Sequence, residues 1–144
     1  RPMKHLVLAL ALLAGCARNE TAGPAPIDLG EDTCDLCRMI ISEAPHAAQL
    51  RSGSGKVEKF DDIGCLGERL SGGAAATQVW VVNKASGAWI DGRSASYVHS
   101  ADYKTPMASG LAAFAARAEA EAFSKANNGK LMTFEEVVSM RRPR

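Results

Sequence analysis

The chain has 144 residues, with 17 Lys and Arg against 16 Asp and Glu, for a formal net charge of +1. A balance so near neutral, without a basic stripe, excludes the electrostatic footprint of a nucleic-acid-binding protein. The basic run Arg141, Arg142, Pro143 and Arg144 reads as a solvated end.

The N-terminal residues read as a targeting signal. After Arg1 and Pro2 come Met3, the basic pair Lys4-His5 and an apolar run over residues 6–13, the pattern of a secretory signal. That run is well short of the roughly 20 apolar residues a membrane-spanning helix needs. It ends in Leu13, Ala14, Gly15 and Cys16, an order that resembles the lipobox of bacterial lipoproteins. The resemblance implies that residues 1–15 are a signal peptide and that Cys16 becomes the acylated first residue. The protein would then be lipid-anchored in the cell envelope and face the periplasm. Each buried methylene of a lipid tail contributes about 0.8 kcal/mol, so several chains on one cysteine anchor almost permanently. Residues 16–32, with Gly23, Pro24, Pro26 and Gly30, read as a flexible lipidated tether. The folded domain is expected over residues 33–144, about 110 residues, enough for one domain or two small half-domains.

Within that domain two segments match. Residues 56–63, with Phe60, Asp61, Asp62 and Ile63, align with residues 130–137, with Phe134, Glu135, Glu136 and Val137; each follows a glycine. Alternating apolar residues predict a short strand ending at the phenylalanine. The acidic pair suits the first turn of a following helix, where carboxylates meet the positive end of the helix dipole. An internal duplication of a small β-rich α/β unit explains the match. Between the two, Val79-Trp80-Val81-Val82 and Trp89-Ile90 read as a hairpin across a polar, glycine-containing link. Residues 96–98 and 111–115 are read as further strands. Residues 117–127, rich in alanine and glutamate with Phe123 turned inward, predict a helix stopped at Asn127-Asn128-Gly129.

The chemistry is expected from sulfur. With Cys16 assigned to lipid, the remaining cysteines are Cys34, Cys37 and Cys65, of which Cys34 and Cys37 form a CxxC pair. Three readings compete. A thioredoxin-like redox pair belongs between a strand and a long helix. Here the pair follows a tether and precedes the strand-like Met39-Ile40-Ile41. A structural zinc site needs four ligands, and the chain offers the lone Cys65 with the separated His46 and His99. Copper(I) is the third reading. Met39 stands beside the pair and Met107 sits in Thr105-Pro106-Met107, a turn bounded by Ser109-Gly110. Thiolate and thioether are soft donors that favour copper(I), which accepts few ligands and leaves a site open for transfer. His46 is a candidate nitrogen ligand. Cys65 is expected to be a buried helical thiol, and Glu43, Asp61, Asp62 and Asp91 to be caps, turns or solvated charges.

The ordered set of Cys34-Asp35-Leu36-Cys37-Arg38-Met39-Ile40-Ile41-Ser42-Glu43, residues 60–66, Trp89-Ile90-Asp91, Tyr97-Val98, Thr105-Pro106-Met107, residues 111–115 and Phe134-Glu135-Glu136 resembles the NosL family. These are copper-binding lipoproteins accessory to nitrous oxide reductase. The resemblance covers nearly the whole mature chain. It implies an α+β fold of two related small ββαβ units packed together, about residues 33–84 and 85–144, similar also to the N-terminal part of organomercurial lyase. It implies no enzymatic activity, but a chaperone that takes Cu(I) outside the cytoplasm. Delivery would be to the catalytic copper site of nitrous oxide reductase, with a membrane transporter complex as docking partner. Cys34, Cys37, Met39, Met107 and His46 are the expected metal residues and Cys16 the lipidation site. The alternative is a membrane-tethered periplasmic thiol-disulfide protein using the CxxC pair. A lyase would need a catalytic cysteine-and-acid arrangement that the sequence does not display. One residue departs from the family, which usually has glycine where Arg38 stands.

Overall fold

The structure, a computed structural model, describes residues 23–140. The lipobox with Cys16 and the basic tail lie outside the described residues.

Two strands, a helix and a third strand occur twice in succession. β1 (Ala48–Ser52) turns at Gly55, whose φ of +86° is a left-handed conformation open to glycine, and β2 (Val57–Phe60) returns antiparallel to it. Asp62 then caps α1 (Ile63–Ser71), its carboxylate accepting from the Gly64 N–H at 2.7 Å. β3 (Ala76–Val82) pairs with the free side of β1, and β4 (Trp89–Asp91) folds back on β3 with Val82 opposite Trp89. The second series is β5 (Ser96–His99), β6 (Leu111–Phe114), α2 (Arg117–Ala126), β7 (Lys130–Met132) and α3 (Phe134–Ser139). Two antiparallel sheets result, ordered β2-β1-β3-β4 and β6-β5-β7. This is the expected α+β architecture.

The topology shifts the duplication from where the sequence match put it. β1 and β5 are both inner strands, β2 and β6 both edge strands followed by a helix, and β3 and β7 both pair on the other side of the inner strand, with β4 added beyond β3. Phe60 therefore corresponds to Phe114, not to Phe134: each ends an edge strand, and a helix begins three residues later. Asp61 and Asp62 become Ala115 and Ala116, and α2 accordingly lacks a side-chain cap. Phe134 instead opens α3, whose first turn does carry Glu135 and Glu136, with Thr133 and Glu136 forming a reciprocal capping box.

One core joins the halves. Phe60, Leu66 and Val81 from the first pack with Tyr97, Leu111 and Phe134 from the second, and burying such a side chain contributes roughly 1.5–3 kcal/mol. α1 lies against α3 through Gly67, where a Cβ would come within 3.0 Å of the Val137 carbonyl oxygen. A parallel bridge between Asn83 and Ala113 links the sheets.

Two local expectations change. Met39-Ile40-Ile41 is not a strand; Ile40 makes an isolated bridge with Thr33 while Ile41 is buried. β1 was not anticipated. Its polar Gln49 is fully buried at the centre of the sheet, where it exchanges hydrogen bonds with the Ala25 backbone at 2.9 and 2.7 Å. The last part of the segment read as a tether is thereby fixed to the domain. Lys59 adds an ion pair to Asp32 at 2.6 Å. Among the described residues no helix is long and apolar enough to cross a membrane.

Candidate metal centre

The CxxC segment is a tight loop clamped to the edge of the first sheet. The Cys34 N–H donates to the Met39 carbonyl at 2.8 Å and the Arg38 N–H to the Cys34 carbonyl at 3.0 Å. Asp35 grips β2 twice: its N–H donates to the Lys59 carbonyl and its carboxylate accepts the Lys59 N–H, both at 2.8 Å. The clamp sets the two cysteines beside the junction of β2 and α1. There the Sγ atoms of Cys34, Cys37 and Cys65 and a carboxylate oxygen of Asp61 lie within 4.8 Å of one another. Cys34 and Cys65 are 0% exposed and Asp61 1%. Cys37 is half-buried and is the member that faces outward.

The two cysteines of the pair differ electrostatically. The Cys65 thiol donates to Cys34. Against burial, backbone N–H groups of Cys37, Asp61 and Leu36 also point at Cys34, and its thiol is brought down to about 6. Burial pushes Cys37 up to about 11; the Met39 N–H opposes the shift, and Cys34 and Asp61 reinforce it. The Cys37 thiol donates to the Asp61 oxygens at 3.4 and 3.6 Å.

A second carboxylate ties the Met107 loop to this junction. Asp62 Oδ2 accepts from the Thr105 hydroxyl at 2.7 Å and the Met107 N–H at 2.9 Å, and Oδ1 accepts from the Ser109 hydroxyl. Ala108 and Gly110 take φ of +54° and +66°, and Gly110 passes so close to β5 that a Cβ would sit 2.2 Å from the Ser100 carbonyl oxygen. Met107 is held half-buried against the same core as Leu36 and Cys37.

Of the residues chosen from sequence, Cys34 and Cys37 come together, and the Met107 backbone is tied to Asp62, the residue after Asp61. Met39 is 53% exposed, and its backbone N–H serves Cys37. His46 is buried and engaged by other groups: Nε2 is 3.3 Å from Glu43, Nδ1 is 3.5 Å from the Tyr103 hydroxyl, and burial lowers its pKa. Cys65 and Asp61 were missed as members of the group. Placing the helix start at Asp62 would have found them, because residues 61 and 65 then flank the cap one turn apart. Zinc was set aside from sequence for want of four converging ligands, and that objection no longer stands.

Arg38 has φ of +69°, which explains the glycine usual at this position. A side chain there costs about 1 kcal/mol or more, while glycine loses roughly 0.5–1 kcal/mol in chain entropy. Arg38→Gly is therefore expected to leave stability unchanged or raise it by up to about 1 kcal/mol, a melting shift of a few degrees at most. A fall in thermal midpoint would show that the guanidinium stabilises the loop by more than its strain costs.

A family model described as NosL matches residues 26–140. Among solved structures, that of the copper chaperone NosL from Shewanella denitrificans is similar, with a TM-score of 0.72 and 25% identity, covering 79% of this chain and 94% of that one. No curated protein matches the sequence.

Proposed function

The chain belongs to the NosL family, and from that premise we propose that it is a copper(I) chaperone serving maturation of the copper site of nitrous oxide reductase. The family is not enzymatic, and the work of the protein is to hold a metal and release it. The observation that carries the reading is the graded sulfur cluster: two fully buried thiols behind one half-exposed Cys37, with the Met107 loop tied to the same junction. Cys37, Cys34 and Met107 are the proposed copper donors, with Met39 as a further candidate. Soft thiolate and thioether donors suit Cu(I), and a set of two or three leaves room for a receiving ligand. His46, engaged by Glu43 and Tyr103, is proposed to support the fold beside the site rather than to bind copper. The metal is cargo, passed to the reductase or to a membrane transporter complex that docks the chaperone.

The test is an anaerobic titration of the reduced full chain against a chromogenic copper(I) chelator. One copper(I) per monomer is expected, with the protein still monomeric by gel filtration. Copper held only by dimers would sink the open-site reading. Catalysed disulfide exchange in a chain that binds no copper would favour the thiol-disulfide alternative.

The envelope location rests on Cys16. Acylation there is proposed to hold the protein at a membrane, and Cys16→Ser is expected to move it to the soluble fraction on fractionation. A variant that still pellets with membranes would show another anchor.

A further inference from the structure

We propose that Cys34, Cys37, Cys65 and Asp61 also form a closed four-ligand site for zinc, sharing two cysteines with the copper site and therefore exclusive with it. Asp61 is the observation that points past copper. It is a carboxylate at 1% exposure that forms no ion pair with Lys, Arg or His among the described residues. Its oxygens face the Cys37 sulfur at 3.4 and 3.6 Å. Buried charges are paired or coordinate metals, and a carboxylate oxygen is a poor ligand for soft copper(I) but an ordinary one for zinc.

The geometry fits a small tetrahedral ion. Zinc–sulfur bonds of about 2.3 Å and zinc–oxygen bonds of about 2.1 Å give tetrahedral edges of about 3.8 Å between sulfurs and about 3.6 Å between sulfur and oxygen. The Cys37–Asp61 edge already has that length. Since all four donors lie within 4.8 Å of one another, the widest possible edge would contract by about 1 Å. The loop is also built for chelation. The N–H groups of Leu36 and Cys37 point at the first sulfur and that of Met39 at the second. The left-handed residue needed to aim them is Arg38. In the second half of the fold the counterpart of Asp61 is Ala115, and α2 carries no cysteine. The donor set therefore belongs to the first unit alone.

Zinc at this site takes all four donors and draws Cys37 inward, so it closes the mouth through which copper(I) would be received. Zinc becomes a placeholder that keeps the thiols reduced and is exchanged when copper(I) arrives.

Titrating the reduced, metal-free full chain with zinc alone against a chromogenic zinc chelator is expected to give one zinc per monomer. Cobalt(II) in its place should give the intense visible bands of a tetrahedral thiolate site. Asp61→Asn, which keeps the side-chain shape, and Cys65→Ser should each lower zinc affinity tenfold or more. Copper(I) added to the zinc form should release one zinc per copper bound. Three results would overturn the proposal: substoichiometric zinc, an octahedral cobalt spectrum, or unchanged zinc affinity in both variants. Cys65→Ala, with the melting curve of each metal-free variant, separates lost ligation from lost folding. Because zinc and copper are titrated separately, failure of copper binding with zinc intact would overturn the chaperone reading and the exchange with copper, and leave the four-ligand zinc site standing.

Discussion

Asp62→Ala is expected to lower stability by about 4 kcal/mol, a large part of the 5–15 kcal/mol typical of a folded domain. One fully buried carboxylate serves four donors: the Gly64 N–H at the start of α1, the Thr105 and Ser109 hydroxyls, and the Met107 N–H. Losing the cap costs about 1 kcal/mol, and each charged hydrogen bond left unmade costs about 1.5–3 kcal/mol. The sum is discounted because water and neighbouring groups will satisfy some of the orphaned donors. Asp62→Asn should fall between, since it keeps one acceptor but turns an N–H group toward donors. Urea unfolding midpoints of the two variants test this. Asp62→Ala with an unchanged midpoint would mean that the 105–110 loop is not held from α1. Copper(I) affinity should fall in parallel, because Met107 is on that loop.

Much of the fold could be read from the sequence where local chemistry and tertiary environment agree. The hairpin of β3 and β4, the strands β5 and β6, and the helix ended by Asn127 and Gly129 all carry their own signals, and all are observed. β1 escaped because Gln49 occupies its centre; a buried amide satisfied by the Ala25 backbone carries no periodic apolar signal. The duplication was legible but misaligned. Phe134 shares the acidic neighbours of Phe60, whereas its structural counterpart Phe114 is followed by alanines. The more obvious sequence match marks two helix starts rather than two equivalent positions.

The site divides along similar lines. A CxxC spacing guarantees that Cys34 and Cys37 are neighbours, so that half needed no tertiary knowledge. Cys65 and Asp61 join only because Asp35 locks the loop to β2 and Asp62 caps the start of α1. Reading Asp61 among caps, turns or solvated charges did not anticipate its burial beside the sulfurs for the same reason. Residues 61 and 62 look alike in sequence, yet one caps a helix and holds the Met107 loop while the other faces three sulfurs.

Cys37→Ser is expected to reduce copper(I) affinity at least a hundredfold, or about 2.7 kcal/mol, with little loss of stability. Cys37 is half-buried, and its own hydrogen bond runs to Asp61 at 3.4 Å, a contact that a serine hydroxyl can replace. The hydroxyl cannot replace the soft anionic donor. Met107→Leu is the informative companion. Leucine conserves volume, so even this partly packed position should lose less than about 1.5 kcal/mol of stability. The Met107 N–H to Asp62 bond, being backbone, survives the substitution. Removal of a thioether ligand should then appear as a loss of about tenfold or more in copper affinity, roughly 1.4 kcal/mol, while zinc binding stays within about twofold because no methionine belongs to the zinc set. Each variant needs its unfolding midpoint and both metal affinities. Copper bound normally by Met107→Leu would remove the methionine from the site and leave the cysteines as the sole sulfur donors. Normal copper binding by Cys37→Ser would remove the outward-facing thiol on which the open site depends.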